Sequence, residues 1–133
     1  FHLGGSNTFG NGKDGTIFAT GATLEIALKA KEELKKLGKN VRVVDIYSIK
    51  PIDKENVIKC AKDTDILVSI EDHSTIGGIG SIISNVLTEN YPKRLYKIGI
   101  EDKFGKSGSK DELYKLYGLT VENIIDKFKQ KIC

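Results

Sequence analysis

Two adjacent carboxylates, an imidazole and three glycines stand close together in the stretch EDHSTIGGIGSII, where Glu71, Asp72 and His73 are followed by Gly77, Gly78 and Gly80. Residues of these types suit three chemistries. Glycines ahead of a helix let backbone N–H groups approach an anion, and the helix dipole adds attraction. A histidine titrates near neutral pH and suits acid or base work. Paired carboxylates suit general acid–base catalysis.

Each chemistry meets an obstacle in the spacing. Glu71 and Asp72 are neighbours, so on a strand their side chains point to opposite faces and cannot share a proton. Both would repel a phosphate. The dinucleotide fingerprint G-x-G-x-x-G would place its third glycine at Ile83, and no P-loop G-x-x-x-x-G-K-[ST] occurs. His73 has no Ser or Cys partner in a recognisable nucleophile elbow. The favoured reading is a sharp strand-to-helix turn whose glycines permit close packing. As a candidate interface or anion loop, its residues are His73, Gly77, Gly78 and Gly80.

Two other stretches carry reactive types. In IKPID, Lys50 could meet an anion, but Pro51 and Asp53 are explained by strand termination and helix capping. In DKFGKSG, Ser107 lacks the G-x-S-x-G frame of a strained nucleophile. Tyr114 and Tyr117 lie on one short helix and read as ordinary packing. Cys60 and Cys133 are too few for a disulfide framework, and no CxxC or Cys/His cluster suggests a metal. Both thiols are expected to be reduced, in a cytoplasmic protein.

The elements that must position these residues follow from periodicity. TIFAT (16–20) is a β-branched strand ended by Gly21. Residues 23–37 place Leu24, Ala27, Leu28, Leu34 and Leu37 at helical spacing, with Gly38 just beyond. VRVVDIYSI (41–49) is a second strand. Asp53 precedes a helix carrying Val57, Ile58 and Ala61. DILVSIED (65–72) is a nearly continuous apolar run, as in a strand covered on both faces. A helix from about 80 to 89 and the strand RLYKIGI (94–100) follow. Ser109 and Glu112 form a capping box before a short helix closed by Gly118, and Thr120 caps the last helix. This alternation predicts a mainly parallel sheet with helices on both faces. Residues 1–14, FHLGGSNTFGNGKD, read as a linker or weak edge strand, and residues 15–133 as the domain.

Composition narrows the function classes. The chain has 133 residues and a net charge of +3, with lysines mixed among acids and outnumbering arginines 19 to 2. A nucleic-acid binder concentrates positive charge and uses Arg to read bases, so that class is disfavoured. No apolar run approaches the roughly 20 residues of a membrane span. There is no methionine, even at position 1, which suggests a piece of something longer.

Taken together, TIFATGATLEIALKAKEELKKLGKNVRVVDIYSIKPID, EDHSTIGGIGSII and DKFGKSGSKDELYKLYGLT resemble the C-terminal domain of transketolases, closest to the form split into two polypeptides. The resemblance covers residues 16 to about 132. It implies a three-layer α/β/α domain with a five-stranded mixed sheet, mostly parallel, whose one antiparallel edge strand comes from FHLGG or a neighbouring stretch. It implies thiamine diphosphate and a divalent metal in the full enzyme, held by a G-D-G…N motif on a domain absent here; GKDG at 12–15 is not that motif. On this view the chain contributes no catalytic, cofactor-binding or metal-binding residue. It supports assembly with the other transketolase domains or subunit, in a homo-oligomer such as a dimer, and is inactive alone. Two related enzymes share such a domain, the 2-oxo acid dehydrogenase β component and deoxyxylulose-phosphate synthase. The pair Ser107–Gly108 favours transketolase over the latter, which would carry a histidine before the glycine. A free-standing small-anion-binding domain, built on the glycine loop with Lys50 nearby, is the alternative of a different class.

Overall fold

The computed structural model describes residues 5–47, 51–74, 78–100, 110–116 and 118–129. In chain order the elements are β1 (Ser6–Phe9), β2 (Gly15–Ala19), α1 (Thr23–Lys36), β3 (Val41–Ile46), α2 (Lys54–Asp63), β4 (Ile66–Ser74), α3 (Ile79–Asn90), β5 (Leu95–Ile100), α4 (Lys110–Leu116) and α5 (Val121–Lys129). The five strands form one sheet in the order β1-β3-β2-β4-β5. Strand β1 runs antiparallel to β3, and the other three pairings are parallel.

Alternation along the strands divides the core. Ile17, Ala19, Val43, Val68 and Ile70 point to one face, where Ala27, Ala30 and Leu34 of α1 and Ile124 and Phe128 of α5 cover them. Phe18, Val44, Ile46 and Leu67 point to the other, beneath Val57 and Ala61 of α2 and Ile83 and Leu87 of α3. The sheet is therefore the middle of three layers, and the near-continuous apolar run of β4 has the two-sided burial its composition predicts. Each fully buried Leu, Ile or Phe contributes about 1.5–3 kcal/mol of transfer free energy.

Helix ends follow the local chemistry. Gly38, at φ 83°, closes α1: its N–H donates to the Lys35 carbonyl at 3.0 Å, and the Lys39 N–H donates to the Leu34 carbonyl at 2.9 Å. A side chain at that φ would be strained, so glycine ends the helix one residue before the expected Leu37. Asp53 caps α2 by accepting from the Asn56 N–H at 3.1 Å, and Thr120 caps α5 by accepting from the Asn123 N–H at 3.1 Å. The capping box proposed at Ser109 lies outside the described residues.

The N-terminal segment supplies the expected antiparallel edge strand. The antiparallel edge strand is SNTF, in the stretch neighbouring FHLGG, and it is polar and mostly exposed. Its own sequence does not make it a strand; side-chain bonds to α2 do. The Ser6 hydroxyl donates to Asp53 Oδ2 at 2.9 Å, and Asn56 Nδ2 donates to Ser6 Oγ at 2.8 Å and to Thr8 Oγ1 at 3.0 Å.

Candidate functional site

In open α/β sheets, ligands bind beyond the carboxyl ends of the strands, where the strand order reverses. Here β2 leads through α1 to one side and β4 through α3 to the other, so the crevice lies between the ends of β2 and β4. Among the described residues, 20–23, Glu71 and 78–80 border it.

Thr23 is the first residue of α1 and is fully buried. Its hydroxyl lies 2.7 Å from the Thr20 carbonyl and 2.9 Å from the Ile70 carbonyl, and it accepts the Thr20 N–H at 3.2 Å. One side chain thus ties the start of α1 to the ends of both central strands. Across the crevice, α3 begins after Gly78, which has no side chain with which to cap, and its first turn contains no acid. Its first N–H groups, which have no partner within the helix, need an acceptor from elsewhere. Glu71 supplies it. This residue is 1% exposed, and its two carboxylate oxygens accept the N–H groups of Ile79 at 3.0 Å and Gly80 at 2.8 Å. The arrangement is the geometry of an anion bound at a helix N-terminus, with the chain's own carboxylate as the anion.

Gly80 is required for close approach. A Cβ there would lie 2.9 Å from Lys97 Cγ and Cδ and 3.0 Å from Ser69 Oγ. Ser69 Oγ is buried and has no hydrogen-bond partner. It offers nothing to a ligand, because α3 and the stem of Lys97 close over it.

Asp72 points to the opposite face from Glu71, as adjacency on a strand dictates. There it accepts the Tyr114 phenol at 3.2 Å. Burial, then the charge and hydrogen bond of Asp72, push the Tyr114 phenol up to about 12. The pair Tyr114 and Asp72 therefore fastens α4 to β4, more than the ordinary packing the sequence suggested.

Most of the other candidates lie outside the described residues. His73 belongs to β4, which extends through Ser74 rather than ending at Asp72; its side chain lies outside the described residues, as do Gly77, Lys50, Ser107, Gly108, Tyr117 and Cys133. Cys60 is a free, buried thiol, pushed up by burial. Among the described residues, no three of His, Cys, Asp and Glu are grouped to hold a metal ion, and no helix is long and apolar enough to cross a membrane. The sequence did not reveal the roles of Thr23 and Glu71. Glu71 did carry a signal: an acid directly after the apolar run of β4, shortly before a helix with no cap of its own.

An α/β/α domain whose own Thr23 and Glu71 side chains bond across the described part of the crevice is thus defined. A family model described as "Transketolase, C-terminal domain" matches residues 5–124. The chain is 43% identical over 133 residues to a putative transketolase C-terminal section of Methanocaldococcus jannaschii, covering 99% of this chain and 41% of that protein. It is 39% identical to the 6-deoxy-6-sulfo-D-fructose transketolase subunit SqwH of a Clostridium species, covering 94% of this chain and 39% of that protein. Among solved structures, a split-gene transketolase in an inactive β4 tetramer superposes with a TM-score of 0.92 at 39% identity, covering 98% of this chain and 43% of that one. The chain belongs to the transketolase C-terminal domain family. It spans about two-fifths of the length of these relatives.

Proposed function

We propose that this chain is the C-terminal assembly domain of a thiamine-diphosphate-dependent, transketolase-type enzyme that transfers ketol groups between sugar phosphates. On this reading it contributes no group to the chemistry and works in the cytoplasm with the remaining transketolase domains or subunit, in a homo-oligomer. One observation carries the reading: Glu71 already occupies the first N–H groups of α3 at the crevice, and the Thr23 hydroxyl is engaged with the Thr20 and Ile70 carbonyls. A diphosphate does not fit there. The N–H groups it would use at α3 are engaged, and Glu71 would repel it. The cofactor and its metal therefore belong to other segments of the full enzyme. The rim loop, with His73, Gly77, Gly78 and Gly80, is assigned to contacts with those segments.

The test is a ketol-transfer assay with thiamine diphosphate and a divalent metal. The chain alone is expected to give no turnover, and the chain combined with the partner segments is expected to be active. Turnover by the chain alone would overturn the proposal. Replacing Gly78 with Phe is expected to weaken assembly at least about tenfold, because a side chain would stand in the contact. An unchanged assembly constant would remove the loop from the interface.

A further inference from the structure

The opposite rim of the sheet carries a second feature, independent of the reading above. The loop between β1 and β2 and the last two turns of α1 border an open cleft of about 520 Å³, lined by Gly10, Gly12, Lys13, Lys31, Lys35 and Asn40 among others. We infer that this cleft is a binding site for a phosphate-bearing small molecule.

The walls are built and held. The Asp14 N–H donates to the Asn40 carbonyl at 2.9 Å, and the Asn40 N–H donates back to Asp14 Oδ2 at 2.7 Å. Buried Arg42 reaches from β3 to hold the Gly12 carbonyl at 3.0 Å. Gly12 lies so near the α1–β3 connection that a Cβ would sit 2.2 Å from the Asn40 oxygen. A Cβ on Gly10 would sit 2.7 Å from Lys31 Cε and 3.4 Å from its Nζ, so the end of the Lys31 side chain lies against the loop backbone at the cleft. Such a site needs little ordering when a ligand arrives.

Charge selects the ligand. Lys13, Lys31 and Lys35 converge on the cleft from two elements, and none takes part in the ion pairs among the described residues, Glu25 with Lys29, Glu33 with Lys36 and Arg42 with Asp63. The one acid in the lining is Asp14, and one of its oxygens is engaged by Asn40. Lysine at a helix C-terminus is commonly a complement to the helix dipole. That explanation covers Lys35 in the last turn. It does not cover Lys31, one turn earlier, or Lys13, which is outside the helix. Three ammonium groups around a polar cleft form a point-charge phosphate site of the kind lysine makes. The volume is within the range of small-molecule sites and leaves room for a polar body beyond the phosphate, with the amides of Asn11 and Asn40 on the wall.

The test is an amide-shift titration of the full chain at low ionic strength with inorganic phosphate, glycerol 3-phosphate and glycerol, using sodium chloride as the ionic control. Saturable shifts are expected at Gly10, Gly12, Asn40 and Val41 with either phosphate compound, with a Kd on the order of 1 mM or tighter. Tighter binding of the ester indicates contacts with its body, and equal binding indicates that the phosphate group alone is read. Lys31→Gln with Lys35→Gln is expected to weaken binding about tenfold or more while other amides keep their positions. Lys13→Gln, a change on an exposed loop, serves as the second variant and is expected to weaken it by about threefold. Shifts matched by chloride, shifts located elsewhere, or affinity unchanged in these variants would overturn the inference.

Discussion

At the scale of single residues, the decisive contact is that of Glu71 with the first turn of α3. Two buried N–H groups share one carboxylate, and bonds to a charged acceptor are roughly twice as strong as neutral ones. Glu71→Ala leaves both donors unsatisfied and is expected to lower stability by about 3 kcal/mol in urea denaturation. Glu71→Gln, which keeps one acceptor but brings an NH2 group against an N–H, is expected to cost about 2 kcal/mol. Because Ala would vacate an anion site, added formate should restore part of the lost stability in that variant and leave the parent unchanged. An Ala variant as stable as the parent would show that the cap contributes nothing. Tyr114 gives a prediction of opposite character. Its folded-state value of about 12 lies above the ordinary tyrosine value near 10. The unfolded chain therefore loses this proton first as pH rises. The contribution is complete below about pH 10 and is lost as pH climbs toward 12. Tyr114→Phe should remove that part of the pH dependence, read as the difference in denaturation midpoints between pH 9 and pH 11.

At the scale of elements, much of the fold could be read from the chain and the remainder could not, for physical reasons. The strands read at 16–20, 41–49 and 65–72, which the structure places at Gly15–Ala19, Val41–Ile46 and Ile66–Ser74, and the helices carrying Leu34, Val57 and Ile124, declare themselves because each buries a whole face or stripe. Their periodicity is then the sequence image of their burial. Strand β1 declares nothing. SNTF has one apolar residue, and its strand conformation depends on pairing with β3 and on the cluster formed by Ser6, Thr8, Asp53 and Asn56, which brings together residues distant in sequence. The same limit hid Thr23 and Glu71. Their residue types were visible, but their partners, Ile70 and Ile79 with Gly80, were fixed only once the strands were in register. This dependence is testable at β1. Asp53→Ala removes the cap of α2 and the acceptor for Ser6, at an expected cost of about 1–2 kcal/mol. Hydrogen exchange should accelerate at the β1–β3 pairing and at the start of α2, with β2 and β4 protected as before. Equal acceleration across the whole sheet would mean that β1 is not separately anchored.

At the scale of the whole molecule, the two rims of the sheet differ in character. Helices run back against the parallel strands, so their first turns lie at the carboxyl rim and their last turns at the amino rim. Glu25 and Glu55 occupy first turns, and Lys35, Lys36 and Lys62 occupy last turns. Among the described residues, the end bearing these acids is where Thr23 and Glu71 make their bonds, and the end bearing these lysines carries the open cleft. In an assembly this asymmetry favours one orientation of approach over its reverse, since complementary fields steer encounter more than they add affinity. Raising ionic strength should therefore slow association with the partner segments more than it speeds their separation.

The position of β2 also has a kinetic consequence. This strand is flanked on both sides, by β3 and by β4, and neither neighbour is adjacent to it in the chain: Gly15 lies opposite Val41 and Ile66. No hairpin can seed the centre of the sheet. A wide loop must close before each of the two central ladders returns any free energy, and that entropy is spent in advance. The molecule should accordingly refold on the slow side for its length, with α1 formed before the strands it joins have met.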